Sequence, residues 1–177
     1  MHAFIPHNER NIFKRSRLFI LLPILISTFY IHEGAAMSLF FGEKREVILF
    51  SPLEGQITFQ GLPLAKAKIK LHISWKDKKG EFFYYHTDEN GFFKIPAHKS
   101  EYKESPLAQL VIHQDLSVEH DGNSCEVWIF SKKEPAEHTE LGGAPTEMIC
   151  ELTNELNTIR GIRSLGGTVC TWQSLKK

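Results

Sequence analysis

Apolar and polar residues alternate strictly between positions 68 and 75 of the chain. The apolar parity holds Ile69, Leu71, Ile73 and Trp75, and the polar parity holds Lys68, Lys70, His72 and Ser74. A period of two residues is that of a β-strand with one face in solvent, and it excludes a helix. The pattern therefore predicts a strand over 68–75 in a sheet that has one buried face.

Weaker alternation predicts further strands on both sides of this one. Strands are expected at 45–50, 56–60, 81–87 and 92–95. Pro52 follows the first of these and Pro96 follows the last. Because proline has no N–H for a sheet ladder, we expect 45–50 to be a short edge strand that ends in a turn.

Two turns between these strands are predicted from residues whose backbone preferences favour a turn. Gly61 and Pro63 suit a tight connection, because glycine permits positive φ and proline fixes φ. Asp88, Asn90 and Gly91 suit a type I turn with Gly91 in the left-handed region. The turn explains Asp88 fully, so we interpret it as structural rather than as a catalytic carboxylate.

Glycine at position 80 belongs to a charged turn over 76–80. Because positive φ is predicted at Gly91, Gly91→Val should cost about 1 to 2 kcal/mol or more. Gly80→Ala is expected to cost less.

The second half of the chain predicts the rest of an all-β domain. A polar loop is expected over 99–106, and residues 108–113 suit a strand, although a short helix fits the same residues. A turn at 121–123 precedes a strand at 125–130. The charged, Gly- and Pro-containing stretch 132–145 predicts a long exposed loop. The last strands are expected at 147–153 and 167–172.

The three cysteines lie in these late strands. If 147–153 and 167–172 form an antiparallel hairpin, Cys150 and Cys170 face one another. In an oxidising compartment, a disulfide between them would close a loop of about 20 residues and stabilise the fold by about 3 kcal/mol. The alternative is that both are small buried hydrophobic residues. Cys125 is the odd thiol, and a pairing that involves it stays open.

The first 36 residues differ from the rest of the chain. Four basic residues between Arg10 and Arg17 precede an apolar run over 18–31, and Gly34-Ala35-Ala36 follows. This is the form of a signal peptide cleaved after Ala36, or of an uncleaved membrane anchor. A third interpretation is a start of translation at Met37, with 1–36 an upstream extension. We therefore expect a hydrophobic N-terminal segment, 1–36, followed by one β-sandwich domain, 37–177.

The charge balance argues against a nucleic-acid partner. The chain has 21 basic and 21 acidic residues, and no basic block occurs beyond the N-terminal segment. Binding to phosphates needs Lys and Arg concentrated on one face. We therefore expect no nucleic acid among the partners.

No pattern in the sequence predicts a catalytic or metal site. The histidines beyond the first 36 residues lack the spacing of a zinc site, and no nucleophile motif or phosphate-binding loop occurs. We therefore expect a protein that is not an enzyme and that has no cofactor. The densest set of metal-ligand residue types is His113, Asp115, Glu119, His120 and Asp121.

The aromatic residues near the first strands suggest a different kind of site. Aromatic side chains of both parities are more than one sheet face needs, so they could line a binding face; core packing is the alternative. The set is Trp75, Phe82, Phe83, Tyr84 and Tyr85.

Two motifs carry a resemblance to a known fold. Gly61-x-Pro63-Leu64-Ala65-x-Ala67 and Thr87-Asp88-Glu89-Asn90-Gly91-x-Phe93-x-Ile95-Pro96 resemble the transthyretin-like, or carboxypeptidase-regulatory-like, β-sandwich family. The resemblance implies a single antiparallel sandwich of Greek-key type. It says little about function, because this sandwich serves adhesins, peptidase appendages and hormone carriers.

A second resemblance covers most of residues 37–172. The segments 49–55, 150–152 and 166–172 are similar to those of a bacterial family of small transthyretin-like proteins with a domain of unknown function. That family has no settled activity. Its members begin with a segment like the one at Met37, which favours a start there.

The functional expectation is a non-enzymatic protein-binding module of the bacterial cell envelope. It would recognise another protein through strand edges or exposed loops, and an immunity or inhibitor protein is one version. The alternative is a structural or assembly component of an envelope machine. The expected location is the periplasm or the inner membrane, with membrane contact only through an uncleaved N-terminal segment. A start at Met37 would instead make it a soluble cytoplasmic protein.

Overall fold

A computed structural model of the chain describes residues 44–76, 79–103, 109–161 and 163–177. The expected N-terminal segment, 1–36, lies outside the described residues. The described residues belong to one unit, 44–177, and they form strands joined by turns. The strands are β1 Lys44–Phe50, β2 Leu53–Phe59, β3 Leu62–Pro63, β4 Lys68–Ser74, β5 Glu81–His86, β6 Phe92–Ile95, β7 His98–Lys103, β8 Ile112–His120, β9 Asn123–Lys132, β10 Ala144–Thr146, β11 Ile149–Glu151, β12 Asn157–Arg160, β13 Ser164–Thr168, β14 Cys170–Thr171 and β15 Ser174–Lys176.

The first layer is a six-stranded antiparallel sheet in the order β12-β13-β9-β8-β4-β5. The alternation that predicted β4 is confirmed, because Ile69, Leu71 and Ile73 are buried while the residues between them are half-buried. β8 and β9 are joined by a two-residue turn at Asp121 and Gly122, both of which have positive φ. This sheet supplies one wall of the core.

The second layer is built around β2. β6 and β3 pair with one side of β2, and β11 pairs with the other side and also with β14. The β2–β11 pair is parallel, with Gln56 opposite Ile149, while the other strand pairs are antiparallel. The prediction of an all-β sandwich is confirmed.

A long antiparallel ribbon extends the second layer. Phe50 lies opposite His98 and Leu53 opposite Ile95, so β1–β7 and β2–β6 share one register. That register places Pro52 opposite Pro96. Neither proline can donate a hydrogen bond, which explains why the ladder is interrupted at this point and resumes beyond it.

The core lies between the two layers. It joins buried side chains of the six-stranded sheet to those of β1, β2 and β6 in one continuous cluster. Phe50, Ile57 and Phe93 enter it from the second layer, and Leu116 and Phe130 enter it from the first. Burial of these side chains is the main source of stability for such a fold.

Three expectations about the second half need correction. Residues 98–103 form β7 rather than a loop, because they pair with β1 although their sequence is polar. The strand expected at 108–113 begins at Ile112 and runs to His120. The connection after β9 is not an exposed loop, because Glu140 within it is buried.

The two last predicted strands do not form one hairpin. Gly166 and Gly167 pair with β9 and β12 in the first layer. After Val169 the chain crosses to the second layer, where Cys170 pairs with Cys150. The expected antiparallel pairing therefore exists only around the two cysteines. The segment of the chain between them contains strands β12 and β13.

A buried ion pair lies inside the core. Lys132 is 0% exposed and Glu140 is 2% exposed, and Lys132 Nζ lies 2.9 Å from Glu140 Oε1. Lys132 is the last residue of β9, and Glu140 reaches it from the connection that follows. Removing an ion from water costs several kcal/mol, so a buried pair needs further hydrogen bonds.

Gln114 on β8 supplies part of this compensation. Its Nε2 donates to Glu140 Oε1 and to the Leu49 carbonyl, each at 2.7 Å. Its Oε1 accepts a hydrogen bond from Trp128 Nε1 at 3.1 Å. Gln114 thus joins β1, β8 and β9 to the ion pair.

Two serines and a backbone carbonyl complete the network. Ser51 Oγ donates to Glu140 Oε2 at 2.8 Å, and Ser164 Oγ donates to the Glu140 carbonyl at 2.8 Å. Lys132 Nζ donates to the Ala136 carbonyl at 3.2 Å. Residues 133–143 are therefore held against the core by buried polar contacts.

The electrostatics of the pair follow from these contacts. Burial raises the pKa of the Glu140 carboxyl, but the Lys132 ammonium and the Gln114 amide outweigh burial and hold that pKa below its usual value. Burial lowers the pKa of Lys132, and the nearby Glu140 carboxylate opposes this. Each charge is tolerated in the core because of the other.

We expect Glu140→Gln to destabilise the fold by about 3 to 5 kcal/mol, because it leaves the Lys132 charge buried without a counter-ion. Lys132→Met should cost a similar amount. The double variant should recover most of this loss, since neither ion remains. Urea unfolding of the four proteins in a double-mutant cycle measures the coupling.

The matched control is Lys94→Met, which removes one partner of the exposed pair Lys94–Glu54. Its expected cost is below about 1 kcal/mol. If Glu140→Gln and Lys132→Met have urea midpoints as high as that of the control, the role given to the buried pair is contradicted.

Two glycines are constrained by positive φ and by close contacts. Gly91 has φ of 76°, and a Cβ there would lie 2.7 Å from the Ile57 carbonyl oxygen. Gly80 has φ of 62°, and a Cβ there would overlap the Ile73 carbonyl oxygen and lie 2.6 Å from His72 Nε2. Positive φ and close contacts therefore constrain Gly80 as well as Gly91, which the sequence pattern did not indicate for Gly80.

We expect Gly80→Ala and Gly91→Ala each to destabilise the protein by more than about 1 kcal/mol, since an L-residue is strained in the left-handed region and its Cβ has no room. Gly122→Asn is the control, because Gly122 has φ of 77° with open space around it and Asn tolerates this region. Urea midpoints compare the three. A Gly80→Ala protein as stable as the control would refute the constraint inferred at Gly80.

Candidate binding surface

The predicted aromatic set is divided by the alternation of β5. Phe82 and Tyr84 are 48% and 54% exposed on the outer face of the sheet. Phe83 and Tyr85 have the other parity and pack against the core. Trp75 follows β4 and is half-buried, with Lys76 Nζ 4.1 Å from its ring centroid. Phe82 and Tyr84 are thus the members available to a partner on the outer face.

Basic side chains of β4 hold the two exposed rings. Lys70 Nζ lies 4.6 Å from the Phe82 ring centroid, and Lys68 Nζ lies 5.0 Å from that of Tyr84. The His72 ring stacks on Phe82 at 4.4 Å, with an angle of 14° between the planes. These cation–π and stacking contacts restrict the rings before any partner binds, which lowers the entropic cost of binding.

The inner side of β5 is anchored on the second layer. The Phe83 and His98 ring centroids are 4.1 Å apart. The Tyr85 hydroxyl lies 2.7 Å from His98 Nε2. Burial raises the pKa of Tyr85 and lowers that of His98. The strand is therefore held on its inner face by the second layer, and on its outer face the Phe82 and Tyr84 rings are about half exposed.

β5 is the last strand of the six-stranded sheet, and within the described part of the chain it pairs only with β4. Thr87 N donates to the Ala67 carbonyl at 3.0 Å, so the odd-numbered amides of this segment point towards β4. By the alternation of an antiparallel ladder, the backbone groups of Phe82, Tyr84 and His86 point away from it. We call this side of β5, with the Phe82 and Tyr84 rings, the aromatic edge.

The predicted turn residues Asp88, Asn90 and Gly91 follow the C-terminal end of β5. Asp88 Oδ1 accepts hydrogen bonds from the Asn90 and Phe92 amides, both at 2.8 Å, and the Asp88 carbonyl accepts one from the Gly91 amide at 3.1 Å. The carboxylate is used by the turn itself, which agrees with a structural role.

Gly61 and Pro63 lie at the β2–β3 turn. Gln60 and Gly61 both have positive φ, and Pro63 pairs with Thr58. This turn is held by Glu151 of β11, which accepts hydrogen bonds from the Gln60 and Gly61 amides at 2.9 Å.

Three more donors surround the Glu151 carboxylate. Thr58 Oγ1 donates at 2.8 Å, and the amide and hydroxyl of Thr153 donate at 3.1 and 2.6 Å. Burial raises the pKa of Glu151, but these hydrogen bonds outweigh burial and hold the pKa at about 2. Sequence patterns did not indicate this residue, because the donors from Thr58, Gln60 and Gly61 lie about 90 residues away in the chain.

Within 44–76, 79–103, 109–161 and 163–177, no three His, Cys, Asp or Glu side chains are placed to hold a metal ion. His113 Nδ1 lies 2.7 Å from Ser131 Oγ, and the His120 ring lies 4.4 Å from that of Phe59.

Within the described part of the chain there is no helix long and apolar enough to cross a membrane.

A disulfide joins Cys150 and Cys170 between β11 and β14. It closes a loop of about 20 residues and ties the end of the chain to the second layer. Cys125 on β9 is a half-buried free thiol.

A family model matches residues 53–155, from the start of β2 to just beyond β11, and it is described as a domain of unknown function, DUF6795. The chain belongs to this family. No curated protein and no solved structure matches the chain. The matched region of this DUF6795 protein contains the aromatic edge, the Lys132–Glu140 pair and Glu151, whereas Cys170 lies outside it.

We expect Glu151→Gln to destabilise this DUF6795 domain by about 1 to 3 kcal/mol at neutral pH, because the amide replaces an acceptor of charge-assisted hydrogen bonds with a donor. The folded pKa of about 2 lies below the ordinary value of about 4.3. The contribution of Glu151 is therefore present above about pH 4.3 and is lost as the pH falls towards 2.

Urea midpoints measured between neutral pH and about pH 2.5 test this prediction. The difference between the natural protein and Glu151→Gln should shrink as the solution is acidified. A difference that stays constant across that range would show that the carboxylate charge is not the source of the stabilisation.

Proposed function

We propose that this DUF6795 protein is a non-enzymatic protein-binding module of the bacterial cell envelope. The observation that carries the proposal is the aromatic edge, where two half-exposed rings adjoin backbone groups that point away from the sheet. An edge strand with unpaired N–H and C=O groups can accept a strand from another protein. Rigid aromatic side chains are common anchors of such interfaces.

The fold type proposed is the transthyretin-like sandwich. The Asp88–Gly91 turn and the tight turn at Gly61 are the features that support it. They lie where the resemblance to that family expects the two connections. Sandwiches of this kind serve many functions, so the proposal depends on the surface and not on the fold.

The proposed location is the periplasm, or the inner membrane with residues 1–36 as an anchor. The Cys150–Cys170 disulfide supports an oxidising compartment, because thiols are kept reduced in the cytoplasm. A cytoplasmic protein that starts at Met37 is the alternative, and in it these two cysteines would be free thiols.

A specific version of the proposal is an immunity or inhibitor protein. Such a protein must bind one target tightly, and a pre-ordered edge suits this because few side chains need to be immobilised on binding. An assembly component is the second candidate, and the same open edge favours it, because β5 of one copy could pair with β5 of another.

The experiment compares the natural protein with Phe82→Asp/Tyr84→Asp in affinity capture from the envelope fraction of the source organism. We expect one partner, close to equimolar, to be captured by the natural protein and to be lost in the double variant, because the charges remove the aromatic anchors. Quantitative mass spectrometry measures the ratio.

The control is Phe92→Asp, since Phe92 is 53% exposed on a strand of the other layer. Equal capture by all three proteins would exclude the aromatic edge as the binding site. Toxicity of the partner when it is expressed without this protein would support the inhibitor version. Large homo-oligomers that disappear in the double variant would favour the assembly role.

A further inference from the structure

Strand ends of both layers meet at one end of the sandwich. β4 ends at Ser74, opposite His113 near the start of β8. Lys132, the last residue of β9, lies opposite Ile112 and Ser164, where β8 and β13 begin. The segments beyond these strand ends and the end of the β1–β7 ribbon that contains Lys44 and Lys103 line an open cleft of about 1030 Å³.

The side chains described around this cleft are mainly basic. The acidic lining residues are Glu101 and Glu134, and each already has a basic partner. Lys44 Nζ lies 3.5 Å from Glu101, and Arg163 Nε lies 2.6 Å from Glu134. The basic lining residues are Lys44, Arg45, Lys76, Lys103, Lys133 and Arg163. Lys76 and Lys133 have no carboxylate partner among the described residues, so the excess of positive charge in the described lining rests on these two.

Two aromatic residues give the cleft apolar walls. Trp75 and Tyr102 are partly buried against the core and also line the cleft. Lys76 lies over the Trp75 ring and donates from Nζ to the Glu101 carbonyl at 3.3 Å. Trp and Tyr beside basic groups are typical of surfaces that bind proteins, because they combine apolar contact with charge complementarity.

We infer that this cleft, the basic end cleft, binds an acidic segment of another protein. Carboxylates of the segment would pair with Lys76 and Lys133, and its apolar residues would contact Trp75 and Tyr102. A protein segment fits better than a nucleic acid, because the basic groups surround one end of the sandwich and the paired glutamates interrupt them. The typical surface that binds a phosphate backbone is instead a patch or stripe of clustered Lys and Arg. This site is separate from the aromatic edge, and the inference does not rest on it.

The test uses a fluorescently labelled random copolymer of glutamate and tyrosine as the acidic probe and a labelled oligothymidylate as the nucleic-acid probe. The variant Lys76→Glu/Lys133→Glu reverses two exposed charges of the cleft. Its control, Lys66→Glu/Lys94→Glu, makes the same change in net charge at exposed lysines outside the cleft lining. Fluorescence anisotropy at about 50 mM salt gives the affinities, and circular dichroism checks that the variants fold.

We expect the copolymer to bind the natural protein and the control within about twofold of each other. The cleft variant should bind it at least about tenfold more weakly. Raising the salt to about 200 mM should weaken binding to the natural protein, since exposed charges are screened. The inference is overturned if the copolymer does not bind, if both variants lose affinity equally, or if the oligothymidylate binds more tightly than the copolymer.

Discussion

The structure depends on two opposite charges that are buried together. Lys132 ends a central strand of the six-stranded sheet, and Glu140 belongs to the irregular connection that follows it. A buried ion is unstable without its partner, so the pair fixes the path of residues 133–143 across the core. Gln114 and Ser51 extend this constraint to β8 and to the bend between β1 and β2. One polar network therefore joins elements of both layers, in addition to the apolar core that lies between them.

This constraint also shapes the surface. Residues 133–135 directly follow Lys132 in the chain and form one side of the basic end cleft. The Pro135 carbonyl accepts a hydrogen bond from the Ile48 amide at 2.8 Å. The aromatic edge lies on β5 and is held differently, through packing of Phe83 and Tyr85 on His98 of the second layer. The aromatic edge thus lies on a strand that packs on the second layer, and one side of the basic end cleft lies on a connection that the buried pair holds.

Local sequence patterns predicted most of the first half of the fold. β4 followed from its strict alternation, and the Asp88–Gly91 turn followed from residues whose roles are local. Patterns failed where a segment takes its structure from a distant partner. β7 was predicted as a loop because its sequence is polar, but it is a strand because it pairs with β1. The connection after β9 was predicted to be exposed because charged residues are rarely buried unless they are paired, and here Glu140 is paired with Lys132. The hairpin predicted around Cys150 and Cys170 was longer than the one in the structure, because no local pattern indicates that the chain crosses between layers after Val169.

The sequence by itself determined the all-β class, the buried face of β4 and the turn at Asp88–Gly91, because these depend on a period of two and on turn chemistry within a few positions. Only the tertiary structure decided which of the β5 aromatics reach solvent, which acid neutralises Lys132, and what surrounds Glu151. It also gathered the basic residues of the end cleft, which are spread from Lys44 to Arg163. Such sites are made by strand order and register, and the side chains that form them are too far apart in the chain for any short pattern to relate them.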